Sequence, residues 1–335
     1  MRRLVHTRLT LIVATALVSG AVAASVALAR SGAKPSGTGV VVIHTNLAYQ
    51  GGEAAGTGMV LTSTGEILTN NHVIRGAATI RIVVPGTGQR YAARVVGYDV
   101  SADVAMLQAD GASDLKTVSL GNSTKLKTGQ RVTPIGNAGG TGKLTTASGK
   151  VAATGRSITV SDDEGGSEHL TRLIETSARL EAGDSGGPLE TTSGKVIGMD
   201  TAMSVGSRFT PTAAGDGYAI PINRALTIAK QIESTTSSAT VHIGGTAFLG
   251  VSLAPTQAGS GALIEGVVRD GAAAAGGLTA GDFITNIDGH TISSPDRLSS
   301  LLLTKHPGDQ VSITYTDQTG ASHMTTVTLA SGPPQ

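Results

Sequence analysis

The chain has 335 residues, with 25 Lys plus Arg set against 24 Asp plus Glu, for a formal charge of +1; at roughly 150 residues per domain that length suits two domains. Its 46 Gly and 11 Pro are too few for a collagen-like or low-complexity chain, and the balanced charge leaves no basic excess for phosphate backbones, so nucleic acid is not an expected partner. Cysteine is absent, which excludes a disulfide framework, a thiolate metal site and a Cys nucleophile.

In chain order, Arg2, Arg3 and Arg8 precede an uncharged stretch from Leu9 to Ala29, about the length a bilayer span needs. Ala21-Val22-Ala23 and Ala27-Leu28-Ala29 offer small-residue cleavage sites. Residues 1–30 therefore read as a signal peptide or an N-terminal membrane anchor, with residues 9–29 as the tether in the second case. Either reading places the rest of the chain outside the cytoplasm. Residues 31–37 read as a linker.

With only 3 Phe, 5 Tyr and no Trp, the core must be built from Val, Ile, Leu and Ala. Over residues 38–233 these occur as short runs punctuated by Gly, Ser, Thr, Asn and Asp, such as Val40-Val41-Val42-Ile43 and Ile80-Arg81-Ile82-Val83-Val84. The pattern predicts an all-β sandwich or barrel. One helix is expected next, capped by Asn223, with Leu226, Ala229 and Ile232 on one face. Residues 234–243 read as a linker, and residues 244–331 as a smaller α+β unit. That unit holds a helix stopped by Gly276-Gly277, a hairpin turned at Asp288-Gly289, and a second helix capped by Ser294 with Pro295 at its first position.

Three segments carry chemistry, in the order Thr69-Asn70-Asn71-His72-Val73-Ile74, Ser101-Ala102-Asp103-Val104 and Gly183-Asp184-Ser185-Gly186-Gly187-Pro188. A serine hydroxyl is too weak a nucleophile alone and needs a base in hydrogen-bond reach. His72 can take that proton near neutral pH and return it to a leaving amine. Asp103 can hold the other imidazole nitrogen, and Gly183 with Ser185 can aim backbone N–H groups at an oxyanion. Alone, a histidine beside a strand is commonly a surface or satisfied core residue, and an aspartate before a strand commonly only forms a turn. The three segments together, in this order, point to a serine protease. A rival, the nucleophile elbow of α/β-hydrolases, also fits Gly183-x-Ser185-x-Gly187, but it needs the acid and the base downstream on alternating strands and helices.

These motifs, with Gly217-Tyr218-Ala219-Ile220-Pro221-Ile222-Asn223, resemble those of the HtrA (DegP-like) family of serine proteases, and the last unit resembles its PDZ domain. The resemblance implies a chymotrypsin-like double antiparallel β-barrel followed by a PDZ domain, and a triad of His72, Asp103 and Ser185 in the inter-barrel cleft. It implies cleavage of unfolded or C-terminally tagged envelope or secreted proteins, no cofactor, no metal and a homo-oligomer, usually a trimer. By the same resemblance, Leu180, Ala219 and Ile220 wall the specificity pocket, which predicts cleavage after small aliphatic residues. Phe248-Leu249-Gly250-Val251 matches the loop with which PDZ domains capture a chain-end carboxylate. Asp184 departs from the Asn common before the family's serine, and Arg179 and Glu181 depart from its small or apolar residues. A peptide-binding chaperone with little turnover is the alternative. Asp162-Asp163-Glu164 reads as a solvated loop rather than a Ca²⁺ ligand set, and Gly136 to Gly142 as a turn rather than a phosphate cradle.

Overall fold

The computed structural model describes residues 37–47, 52–161, 167–201, 217–238, 240–254 and 261–334. The leader with its tether, the acidic triplet at 162–164 and the loop 202–216 lie outside the described residues.

The first barrel comprises β1 (Val40–Leu47), β2 (Gly52–Val60), β3 (Glu66–Thr69), a helical turn α1 (Asn71–Ile74), β4 (Thr79–Val83), β5 (Arg90–Asp99) and β6 (Val104–Ala109). Its strands run β5-β4-β1-β2-β3-β6 and close through β5–β6 pairing. Alternation sets the faces: in β4, Ile80 and Ile82 point inward while Thr79 and Arg81 face water. Ile82 is fully buried between Ile43 and Tyr91.

The second barrel comprises β7 (Arg131–Gly136), β8 (Thr145–Thr146), β9 (Gly149–Ser161), β10 (Ser167–Thr176), β11 (Pro188–Thr191), β12 (Val196–Thr201) and β13 (Gly217–Pro221). The order β11-β12-β13-β10-β9-β7-β8 closes through β11–β7. Helix α2 (Ile222–Glu233) then buries Ala225, Ile228, Ala229 and Ile232. That face joins Val104 and Met106 of β6 and Met199 of β12 in one core cluster, which ties the barrels together. Asn223 does not cap this helix. Pro221, with its restricted φ, sets the entry earlier, and the Asn223 side chain instead accepts from the Ser123 N–H and hydroxyl, both at 2.7 Å.

The stretch expected as a linker ends in a strand, β14 (Val241–Ile243), paired on β5. The last unit holds β15 (Thr246–Phe248), β16 (Val251–Leu253), β17 (Ala262–Val267), α3 (Ala272–Ala275), β18 (Phe283–Ile287), β19 (His290–Thr291), α4 (Pro295–Leu302), β20 (Gln310–Thr316), β21 (Ser322–Thr328) and β22 (Ala330–Gly332). Asp288 and Gly289 both have positive φ, as the tight hairpin needs, and the Ser294 hydroxyl caps α4 by accepting from the Arg297 N–H at 3.2 Å. Beyond β22, the Pro334 carbonyl accepts from the Gly76 N–H of the first barrel at 2.7 Å. Among the described residues no helix is long and apolar enough to cross a membrane.

Candidate active site

Residue by residue, the first barrel builds the base. In α1, Asn71, Val73 and Ile74 are buried anchors, which leaves His72 between them with 17% of its side chain exposed. Asp103 closes a turn at Val100–Asp103 with φ +54, a left-handed conformation held although it costs a non-glycine residue about 1–3 kcal/mol. Its backbone carbonyl accepts from the buried Asn70 side-chain amide at 3.0 Å. The Asp103 carboxylate faces His72 Nδ1 at 2.9 and 3.0 Å and accepts from the His72 backbone N–H at 3.0 Å. Thr201, at the end of β12, donates its hydroxyl to the same carboxylate at 3.2 Å. The imidazole is thus fixed with Nδ1 toward the acid.

The second barrel contributes the loop from Gly183 to Gly187, and Thr57 of β2 clamps it across the seam. The Thr57 N–H donates to the Ser185 carbonyl at 2.8 Å, and its hydroxyl donates to the Gly183 carbonyl at 2.7 Å while accepting from the Asn137 N–H at 2.9 Å. Glycine is required at two points of the loop. A Cβ on Gly186 would sit 2.1 Å from the Thr57 carbonyl oxygen and 2.3 Å from the Thr69 hydroxyl; one on Gly183, where φ is +94, would sit 2.2 Å from the Asn137 carbonyl oxygen. Thr69 ends the strand that leads to His72, so the loop that carries Ser185 packs against the strand that leads to the candidate base. Among the described residues nothing accepts from the Gly183 N–H, the state an oxyanion donor needs.

Behind the loop lies a buried acidic group. Asp184 turns inward, accepting from the Glu181 N–H at 3.0 Å. Asp200 of β12 is fully buried, and neither carboxylate oxygen has a hydrogen-bond partner among the described residues. Burial first, then the charges of Asp184 and Glu190, hold the Asp200 carboxyl well above the usual carboxylate range.

The specificity-pocket residues are placed unequally. Leu180 keeps exposed surface beside Gly217, whereas Ala219 and Ile220 are fully buried in the barrel cores. Arg179 and Glu181 are exposed. In the last unit, Phe248, Leu249, Gly250 and Val251 meet Leu298 and Leu302 of α4 around a cleft of about 120 Å³. Strand β16 is the terminal strand of its sheet, so one edge is open. Among the described residues the N–H groups of Leu249 and Gly250 donate to nothing.

The trypsin-like peptidase domain family matches residues 56–199, and the PDZ domain family matches residues 247–326. The serine protease PepD of Mycobacterium tuberculosis is 33% identical over 282 residues, covering 80% of this chain and 59% of that protein. The periplasmic pH-dependent serine endoprotease DegQ of Escherichia coli is 33% identical over 258 residues, covering 75% of this chain and 54% of that protein. A solved HtrA-type protease, AlgW with a tripeptide, superposes with a TM-score of 0.51 at 29% identity, covering 89% of this chain and 95% of that one. The chain belongs to the HtrA family of trypsin-like serine proteases. It spans between half and three-fifths of the length of these curated relatives. The order expected for the family, trypsin-like barrels followed by a PDZ domain, is the one found.

Thr57, Thr201, Asn137 and Asp200 were not singled out by the motifs. Thr57, Thr201 and Asn137 act through contacts far away in sequence, such as the pairs Thr57–Gly183 and Thr201–Asp103, 126 and 98 residues apart, and Asp200 is marked only by its burial.

Proposed function

We propose that this HtrA-family chain is a serine endopeptidase that works outside the cytoplasm on unfolded or tagged proteins. The observation that carries the reading is the grip of the buried Asp103 carboxylate on His72 Nδ1, at the seam where Thr57 holds the Ser185 loop. His72 Nε2 takes the Ser185 proton as Oγ attacks the substrate carbonyl, while Asp103 stabilises the imidazolium. The N–H groups of Gly183 and Ser185 stabilise the oxyanion, each worth about 3–4 kcal/mol. His72 then protonates the leaving amine, and water releases the acyl group by the same steps in reverse. Leu180 offers apolar surface for a small aliphatic residue before the scissile bond.

The open edge of β16 and the free donors of Leu249 and Gly250 support capture of a peptide C-terminus beside α4. The relatives' periplasmic names and the apolar leader support export, with release or anchoring as its two forms. Family membership supports a homo-oligomer, read as a trimer, which light scattering measures.

Fluorophosphonate labelling of the wild type and of Ser185→Ala, with digestion of an unfolded protein, tests the reading. Ser185→Ala is expected to lose the label and about 10⁴–10⁶-fold in turnover. Equal digestion by both would sink it, and peptide binding without labelling or turnover would favour a chaperone.

A further inference from the structure

A cleft of about 480 Å³ begins beside the oxyanion loop and carries charges that the mechanism above does not use. One end is the turn Gly140–Gly142. That turn packs on the loop: the Gly139 N–H donates to the Ala182 carbonyl at 2.8 Å, and a Cβ on Gly183 would lie 3.1 Å from the Gly140 nitrogen. On its other side, a Cβ built on Gly140 would lie 3.8 Å from that of Ala55. The residue after Ala55, Gly56, lies against Val73, the neighbour of His72. From there the cleft crosses the outer face of the first barrel over His44, Arg81 and Arg90.

The strand register fixes the layout. Ala55 faces His44, His44 faces Arg81, and Val83, two residues beyond Arg81, faces Arg90. Arg81 and Arg90 are therefore diagonal neighbours on one face, roughly 7–8 Å apart between backbones. Both are exposed, and among the described residues neither has a carboxylate partner. Glu53 also lines the cleft. It faces Asn46, which in turn faces Thr79, so it stands two strands across and two residues along from Arg81.

His72 must deliver its proton to the leaving amine, so the leaving segment of a substrate departs on the His72 side. A chain departing there meets Ala55 and Gly140 first and the two arginines next. Strand spacing puts Arg81 about 10 Å past Ala55, some three residues of extended chain. We propose that this cleft is the subsite for the leaving side of the substrate, and that Arg81 and Arg90 select an acidic side chain a few residues after the scissile bond. The inference rests on the peptidase reading above and adds a substrate class to it: chains with Asp or Glu on the carboxyl side of the cut.

The test is cleavage of a peptide library with the residue before the scissile bond fixed and the leaving-side positions varied, read by mass spectrometry on the full chain. The quantity is the ratio of kcat/KM for an acidic peptide to that for its amide counterpart, within one variant, so any loss of folded enzyme cancels. The wild type is expected to favour Asp or Glu at one leaving-side position by about 2- to 5-fold, as exposed ion pairs allow, and 0.5 M salt should shrink that ratio. Arg81→Gln and Arg90→Gln should each lower it, and the double Arg→Glu variant should invert it toward Lys and Arg. A wild type that cleaves without acidic preference, or a preference that survives in both single variants, would overturn the inference alone. A wild type that neither labels at Ser185 nor cleaves would overturn the peptidase reading and this inference with it.

Discussion

On the first-barrel side of the seam, both oxygens of the buried Asp103 carboxylate are engaged, by the His72 ring and backbone and by Thr201. On the second-barrel side, Asp200 is equally buried, yet neither of its oxygens has a hydrogen-bond partner among the described residues, and the Gly183 N–H likewise donates to nothing. A buried polar group left unpaired costs roughly 1–3 kcal/mol, a charged one more. The base is therefore over-determined, and only one geometry satisfies its groups. The loop that carries Ser185 is held from one side by Thr57 and backed on the other by an acid whose carboxyl pKa is pushed up by burial. The contrast teaches where satisfaction is complete: both oxygens of Asp103 are partnered, whereas among the described residues neither oxygen of Asp200 is.

The largest expected effect tests the over-determined side. Asp103→Asn keeps size and the left-handed φ, which asparagine tolerates well. Its amide would, however, present a donor to His72 Nδ1 and force the wrong tautomer. Turnover and fluorophosphonate labelling should fall about 10³–10⁴-fold, with the unfolding midpoint in urea nearly unchanged. A midpoint that drops together with activity would mean that the pair serves the fold rather than the chemistry.

The bridge between the two sides is next. Thr57→Val keeps the shape but leaves the Gly183 carbonyl and the buried Asn137 N–H without partners, a loss of about 2–4 kcal/mol in urea unfolding. Labelling should slow as well, because the oxyanion loop loses its clamp, and Thr57→Ser should restore both. If Val and Ser behave alike, the hydroxyl is not the clamp.

The candidate triad is legible because each of its residues sits in a contiguous motif whose composition has a chemical reason. The strands were legible from Val- and Ile-rich runs, and the Ser294 cap and the Asp288-Gly289 turn from local chemistry that no tertiary contact overrides. Other features depend on contacts between distant segments. The closure of each barrel by β5–β6 and β11–β7 pairing leaves no mark in either strand alone. Asn223 was drawn away from capping by Ser123, a hundred residues earlier. The short run Val241–Ile243 reads as linker until β5 offers it an edge. Ala219 and Ile220 lie on opposite faces of β13, and their burial on both faces depends on cores that other strands bring to them.

The smallest effect tests the under-determined side through pH. The Asp200 carboxyl is raised by burial and by the charges of Asp184 and Glu190. A group whose folded pKa lies above its unfolded value contributes stability that is fully present below the unfolded value, near 4, and is lost as pH rises through the folded one. The slope is at most about 1.4 kcal/mol per pH unit for a single proton. Asp200→Asn cannot ionise, so it escapes that loss while keeping nearly the same volume. The two proteins should melt within a degree or two of each other at pH 4.5, and the variant should gain on the wild type as pH increases to 8. About 1 kcal/mol in a protein of this size moves Tm by roughly 2–4 °C, so the divergence is measurable by calorimetry. Parallel Tm curves would show that Asp200 changes no charge on folding in this range. A gap that widens with pH, accompanied by unchanged labelling of Ser185 at pH 5, would place the cost of this buried acid in the fold behind the loop rather than in the chemistry in front of it.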